Sequence, residues 1–131
     1  MNTEINWLDG SDDSGGVSWL NPASAKTVSY LKAVVKEILA FSVDGLILEG
    51  VHFPESEHTK GATYPGENKS VSRNQVLRNF VSEIKALLPE SCFLLVSQTS
   101  KDIIEENKSL YYGNLLGSDT DGFAIDTLNR D

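Results

Sequence analysis

The amino-acid sequence predicts an α/β fold in which parallel strands alternate with helices. Short, continuous apolar runs near 45–49, 92–97 and 122–126 are typical of strands that are covered on both faces of a parallel sheet. Apolar residues near 25–40 and 73–88 instead recur at steps of three and four, which is the period of an amphipathic helix. Because strands and helices alternate, we expect right-handed crossovers between parallel strands.

Chain length limits the architecture. At 131 residues, the chain is well short of the roughly 250 residues of an eight-stranded barrel. We therefore expect a single α/β domain over residues 1–131, as either a TIM-barrel-like fragment or a small open three-layer sheet. Residues 1–16 are polar and acidic and are predicted to form a flexible segment, while residues 55–71 show no period and are predicted to form a long loop.

Charge and composition limit the partners. A net charge of −8 argues against nucleic acid, because binding to phosphates rests on clustered lysine and arginine. No apolar run approaches the roughly 20 residues of a membrane span, and no signal peptide is recognisable, so we expect a soluble protein without a membrane partner. The sequence has no glycine-rich phosphate loop and no metal-ligand spacing, so we expect no cofactor and no metal. It does not indicate a compartment.

The individual elements follow from local signals. Residues 17–20 are predicted to form a strand that ends at Asn21-Pro22, because proline cannot continue a hydrogen-bonded ladder. Ser72 and Gln75 have the spacing of a capping box at the start of the second helix. Thr99 or Ser100 can cap a further short helix. The residues predicted to form the core of the sheet are Leu46, Leu48, Leu94, Val96 and Ile125.

Two stretches, residues 44–49 and 121–126, share one pattern of Asp-Gly, three apolar residues and a carboxylate. In parallel strands of matching register, Glu49 and Asp126 would emerge at the same carboxyl rim, where such sheets bind ligands. Glycoside hydrolysis needs two such carboxylates, one to protonate the leaving oxygen and the other to attack the anomeric carbon or activate water. The alternatives are that they cap the following segments or are plain exposed strand ends.

Five further side chains are candidates for substrate binding. Gln98 ends the strand that lies between the two carboxylates in sequence, and His52 follows the first carboxylate by three residues. Tyr64 and His58 belong to the long loop, for which a connection without a role is the alternative. Trp19 could stack on a sugar ring or pack in the core. A rim histidine with only solvent contacts is the alternative for His52.

Three segments follow one another in a distinctive order: Trp19-Leu20-Asn21-Pro22, Lys36-Glu37 and Glu49-Gly50-Val51-His52-Phe53-Pro54. This order resembles a family of glycoside hydrolases with TIM-barrel catalytic domains. That family has Trp-x-(Asn/Asp)-Pro, an amphipathic helix with a Lys-Glu pair, and a strand that ends Asp-Tyr-Ile-Arg-Phe-Pro. Glu49 stands where the family has aspartate, and Gly50 and His52 replace its tyrosine and arginine.

The resemblance implies a glycoside-hydrolase-like domain that acts on or binds carbohydrate. Glu49 and Asp126 would face the sugar, and the loop after Pro54 would cover it. The alternative is a non-catalytic module that retains the fold and binds saccharide or a partner domain. An incomplete sheet would also leave its edge strands open. We therefore expect self-association, association with the rest of a longer chain, or coverage of an edge by residues 1–20.

Overall fold

The computed structural model describes residues 6–8, 18–53, 63–104, 112 and 114–127. Within these ranges, strands and helices follow the α/β order that the sequence predicts. They are β1 (Asn6–Leu8), β2 (Ser18–Leu20), α1 (Ala25–Leu39), β3 (Gly45–Leu48), α2 (Arg73–Lys85), β4 (Phe93–Thr99), α3 (Ser100–Ile104) and β5 (Gly122–Asp126). None of the described helices is long and apolar enough to cross a bilayer.

Three strands form a small open parallel sheet in the order β3, β4, β5. Leu46 lies opposite Leu94 in the first pairing, and Ser97 lies opposite Ala124 in the second. The α/β class, the three strands and their parallel direction are confirmed. Continuous apolar runs, separated by stretches with the helical period, therefore predicted the sheet correctly.

The strands β1 and β2 form a separate antiparallel hairpin, in which Trp7 lies opposite Trp19. The short strand predicted before Asn21 is confirmed as β2. The sequence did not predict β1, which lies within residues 1–16, because three residues are too few to show a strand period. The described strands of this hairpin pair only with each other. Among the described residues, no strand from residues 1–20 pairs with an edge of the parallel sheet.

Both long helices begin at a serine N-cap. Ser24 Oγ accepts hydrogen bonds from the backbone N–H groups of Lys26 at 3.2 Å and Thr27 at 3.4 Å. Ser72 Oγ accepts one from the Gln75 N–H at 3.2 Å, as the capping-box spacing predicts. These bonds satisfy donors that have no partner inside a helix, and they fix where α1 and α2 begin.

The helices α1 and α2 lie on one face of the sheet, which we call the helix face. Lys32 of α1 and Glu83 of α2 form an ion pair at 2.9 Å. On β4, Leu94 and Val96 are fully buried, as predicted. The buried core combines both helices, the sheet and the chain beyond it: Val35, Val51, Phe53, Tyr64, Leu77, Val81, Ile84, Leu94, Val96 and Leu115.

The other predicted core residues are less buried. Leu46 and Leu48 of β3 pack against the core but are only half-buried. Ile125 is 48% exposed, so its predicted place in the core is wrong. It lies on β5, an edge strand with a neighbour on one side only. Burial thus depends on the position of a strand in the sheet, which an apolar run does not reveal.

Neither α1 nor α2 lies on the opposite face of the sheet, which we call the open face. Burial alternates along β4 between the two faces. On the open face, Phe93 is 47% exposed and Ile47 is 54% exposed. By register, the open face consists of Gly45, Ile47, Phe93, Leu95, Ser97, Thr99, Gly122, Ala124 and Asp126.

Asp121 joins β5 to its neighbours at the amino edge of the sheet. Its carboxylate accepts a hydrogen bond from the Leu94 backbone N–H at 2.7 Å and pairs with Lys85 at the end of α2. The hydrogen bond from Lys85 holds the pKa of Asp121 below its usual value. This aspartate therefore has a structural role in placing β5 beside β4.

Candidate functional site

A cleft of about 230 Å³ lies at the carboxyl end of β3, between α1, α2 and the chain that follows β2. Its position corresponds to the edge at which parallel sheets bind ligands. Three of its lining residues have polar side chains, namely Thr27, Glu49 and His52. The remaining side chains are apolar, from Leu20, Pro22, Val28, Leu31, Leu48, Val51, Leu77 and Phe80.

Gly50 lies two residues beyond the end of β3 and turns the chain along the cleft. Its φ of +67° lies in the left-handed region, which glycine adopts without strain. The His52 backbone N–H donates to the Gly50 carbonyl at 2.9 Å and closes a tight turn. The turn leaves Glu49 exposed and places the half-buried His52 between the buried Val51 and Phe53. Gly50, which stands where the resembled family has tyrosine, thus allows the backbone to form this turn.

His52 contacts both Trp19 and the backbone. The two ring centroids lie 5.3 Å apart with an interplanar angle of 62°, an edge-to-face arrangement. His52 Nδ1 lies 3.1 Å from the Phe53 carbonyl oxygen, which can only accept, so Nδ1 carries the proton in this contact. In the neutral ring, Nε2 is then the acceptor nitrogen. Trp19 is half-buried and packs against the core.

Asn21 ties the segment after β2 to the loop that precedes α2. It is fully buried. Its Nδ2 donates to the Pro65 carbonyl at 2.8 Å, and its Oδ1 accepts from the Ala23 N–H at 3.0 Å. In the sequence, Asn21 marks the end of a strand and belongs to the first segment of the family resemblance, but nothing local indicates a partner 44 residues away.

Three aromatic rings surround the guanidinium group of Arg73, at the start of α2, and we call this group with Glu67 the aromatic clasp. Arg73 Cζ lies 5.4, 4.8 and 5.0 Å from the ring centroids of Phe53, Tyr64 and Tyr112, within the range of cation–π attraction. Arg73 also donates to the Tyr112 hydroxyl at 2.6 Å and to Glu67 Oε1 at 2.8 Å. The clasp thereby joins three loop segments to one helix end.

Burial and pairing shift the pKa values in the aromatic clasp. Burial raises the pKa of Tyr64 to about 12, so its phenol is protonated at neutral pH. The hydrogen bond from Arg73 lowers the pKa of Glu67. Burial opposes the charge on Arg73, but hydrogen bonds with Glu67 and Tyr112 outweigh it and raise the pKa of Arg73. The clasp is therefore a neutralised ion pair that holds loops together.

The structure does not bring all the predicted site residues into the cleft. Tyr64 is 4% exposed and belongs to the aromatic clasp. Gln98 is 1% exposed on the helix face, and within the described chain its side-chain amide has no hydrogen-bond partner. Asp126 lies on the open face of β5 and does not line the cleft. His58 lies outside the described residues.

The register of the strands places Glu49 and Asp126 further apart than their shared sequence pattern predicts. Gly45 lies opposite Phe93, whereas Gly122 lies opposite Leu95, so the two Asp-Gly stretches are displaced by 95 − 93 = 2 residues. The strand β4 also lies between them. Glu49 and Asp126 therefore both lie at the carboxyl rim, but Asp126 lies two residues further along the strand direction.

Comparison with protein-family models, with curated proteins and with solved structures gives no match. The resemblance to glycoside hydrolases therefore rests on the quoted segments alone. Over the described ranges, no three His, Cys, Asp or Glu side chains come together in a group that could hold a metal ion. The cleft therefore offers one exposed carboxylate, one imidazole, one threonine hydroxyl and an apolar wall.

Proposed function

We propose that this chain is a glycoside-hydrolase-like domain that binds carbohydrate in the cleft at the carboxyl end of β3. The observation that carries the proposal is that Glu49 and His52 line one cleft, at the edge where parallel sheets bind ligands. Both residues also belong to the segment that carries the family resemblance.

The composition of the cleft suits a sugar ring. Apolar walls can pack against the C–H faces of a pyranose, while the Glu49 carboxylate can accept hydrogen bonds from its hydroxyls. The volume of about 230 Å³ lies below the roughly 300–1,000 Å³ of typical ligand pockets. We therefore propose that the cleft takes one terminal ring and not an extended chain.

Hydrolysis is a second candidate, because Asp126 lies at the same rim as Glu49. With strands roughly 4.8 Å apart and a rise of about 3.3 Å per residue, two strand spacings and two residues give about 12 Å between the two Cα atoms. Side chains that converge from this distance would suit the roughly 6.5–9.5 Å of an inverting pair better than the shorter separation of a retaining pair. Only one of the two carboxylates lines the cleft, which favours binding over turnover.

Matched substitutions test the proposal. Glu49→Gln replaces a charged acceptor with a neutral one, which should weaken saccharide binding about tenfold, because charged hydrogen bonds are worth about 1–2 kcal/mol more than neutral ones. Glu90→Gln, an exposed residue outside the cleft, is the control. A glycan array identifies the ligand, and titration calorimetry measures its affinity.

Asp126→Asn separates the two candidate functions. If the chain only binds, this variant should retain the affinity of the native protein and neither should release sugar. If it hydrolyses, release of reducing sugar should be lost in both Glu49→Gln and Asp126→Asn. Binding that is equal in the native protein and Glu49→Gln would contradict the assignment of the cleft.

A further inference from the structure

We infer that the terminal ring bound in the cleft at the end of β3 is an amino sugar with a free, protonated amine. The inference rests on the proposed function, because it names the class of saccharide that would occupy the same cleft. It is carried by the polar side chains of the cleft, which call for a ligand with hydrogen-bond donors and a positive charge.

Glu49 sets the charge of the cleft. Among the described residues that line it, Glu49 is the only acidic one, and none is lysine or arginine. The ion pairs between described residues use Glu67, Glu83 and Asp121, so none of them neutralises the Glu49 carboxylate. An ionised carboxylate only accepts hydrogen bonds. It is satisfied best by N–H donors that also carry a positive charge.

The neutral form of His52 adds an acceptor to the same cleft. Its Nδ1 lies 3.1 Å from the Phe53 carbonyl oxygen and donates to it, so Nε2 has the acceptor role. The edge-to-face contact with Trp19 helps to hold the imidazole in this orientation. The hydroxyl of Thr27, the third polar side chain of the described lining, can donate or accept. The cleft therefore suits a ligand rich in donors better than one that carries a carboxylate or a sulfate.

The size of the cleft separates a free amine from an acetylated one. The volume of about 230 Å³ lies below the roughly 300–1,000 Å³ of typical ligand pockets. An N-acetyl group adds bulk to the ring and removes the positive charge of the nitrogen. A ring with a free amine keeps the charge and remains close in size to the neutral sugar. We therefore expect the free amine to bind more tightly than the acetylated form.

The charge of the whole chain acts in the same direction. A net charge of −8 attracts cationic ligands and repels anionic ones over a distance of several ångströms. This general attraction does not place a ligand in the cleft. A test must therefore separate the contribution of Glu49 from that of the other acidic residues.

A glycan array with matched terminal rings tests the inference on the native protein. The rings differ in one substituent, which is a hydroxyl, a free amine, an N-acetylated amine or a carboxylate, and titration calorimetry at pH 7 measures the affinities. The free amine should bind about fivefold more tightly than the hydroxyl, the upper range for an exposed ion pair. Salt at about 0.5 M should reduce this preference, because it screens exposed charges. The ring with a carboxylate should bind least.

Two variants locate the preference in the molecule. Glu49→Gln should bring the affinities for the amine and the hydroxyl to within about twofold of each other, because the amide is uncharged. Glu90→Gln removes one negative charge from an exposed position outside the cleft and should keep the fivefold preference. Circular dichroism checks that both variants fold. Cyclohexylamine, which has the amine and the apolar ring without the hydroxyls, should bind more weakly than the amino sugar.

The outcomes distinguish this inference from the proposed function. Neutral rings that bind as tightly as rings with a free amine would overturn the inference and leave carbohydrate binding in place. A preference that survives in Glu49→Gln, or that is lost equally in Glu90→Gln, would assign it to the general charge and overturn the role of the cleft. Cyclohexylamine that binds as tightly as the amino sugar would show that the sugar is not recognised. If no ring of any kind binds, the proposed function itself fails, and the inference fails with it.

Discussion

The two faces of the three-stranded sheet differ sharply although their residues alternate along the same strands. On β4, Leu94 and Val96 of the helix face are fully buried, while Phe93 of the open face is 47% exposed. In sequence, these residues form one uninterrupted apolar run, of the kind that predicts two covered faces. The two long helices, α1 and α2, lie on only one of them. An apolar run therefore shows which residues of a strand can be buried, and the packing of the helices determines which of them are buried.

The comparison of the two faces can be tested by truncating neighbouring leucines, for which we expect the largest effect on the free energy of unfolding. Leu94→Ala should lower the free energy of unfolding by about 2–5 kcal/mol, the usual range for a packed leucine. Leu95→Ala, one residue further on the open face, should cost less, about 1–2 kcal/mol, because its side chain is only half-buried. Urea denaturation at low protein concentration measures both. Equal losses would show that the two faces are equally covered.

A smaller effect is expected at Gln98, the polar residue of the helix face. A buried amide without a hydrogen-bond partner costs roughly 1–3 kcal/mol, and the Gln98 amide has none within the described chain. Gln98→Met keeps the length of the side chain and should raise the free energy of unfolding by about 1–2 kcal/mol. Gln75→Met, on the exposed side of α2, should change it little. Destabilisation by Gln98→Met would reveal a partner for the amide.

The smallest effect concerns Asp121, which links α2 of the helix layer to the sheet. Its pKa is lower in the folded chain than the usual value of about 4 for aspartate, because of the hydrogen bond from Lys85. The stabilisation is therefore present above pH 4 or so and is lost as the pH falls through the lowered pKa. Asp121→Asn should reduce the acid-induced fall in melting temperature, whereas the nearby Asp119→Asn should not. An identical pH profile for both variants would argue against the link.

Most of the fold could be predicted from the sequence, because each strand of the parallel sheet is a continuous apolar run and each long helix shows the helical period. The strand β1 could not, since three residues show no period. The exposure of Ile125 could not either, because it follows from the place of β5 at the edge of the sheet. These failures concern position within the sheet and not the type of element.

The candidate site was less predictable, because it depends on contacts between distant segments. The position of Glu49 and His52 at the end of a buried strand follows from the apolar run before them. The displacement between Glu49 and Asp126 depends on register, which repeats of Asp-Gly do not fix. The partners of Asn21 and Arg73 lie in other segments of the chain, and no local sequence pattern predicts these contacts.

The pairing of Trp7 with Trp19 has a practical consequence for spectroscopy. These are the only two tryptophans in the sequence, and both lie in the β1–β2 hairpin. Intrinsic tryptophan fluorescence therefore reports on the hairpin and its surroundings, whereas far-ultraviolet circular dichroism is dominated by α1 and α2. If the hairpin opens before the parallel sheet, the two signals will give different transition midpoints, and a single optical probe would misstate the stability of the domain.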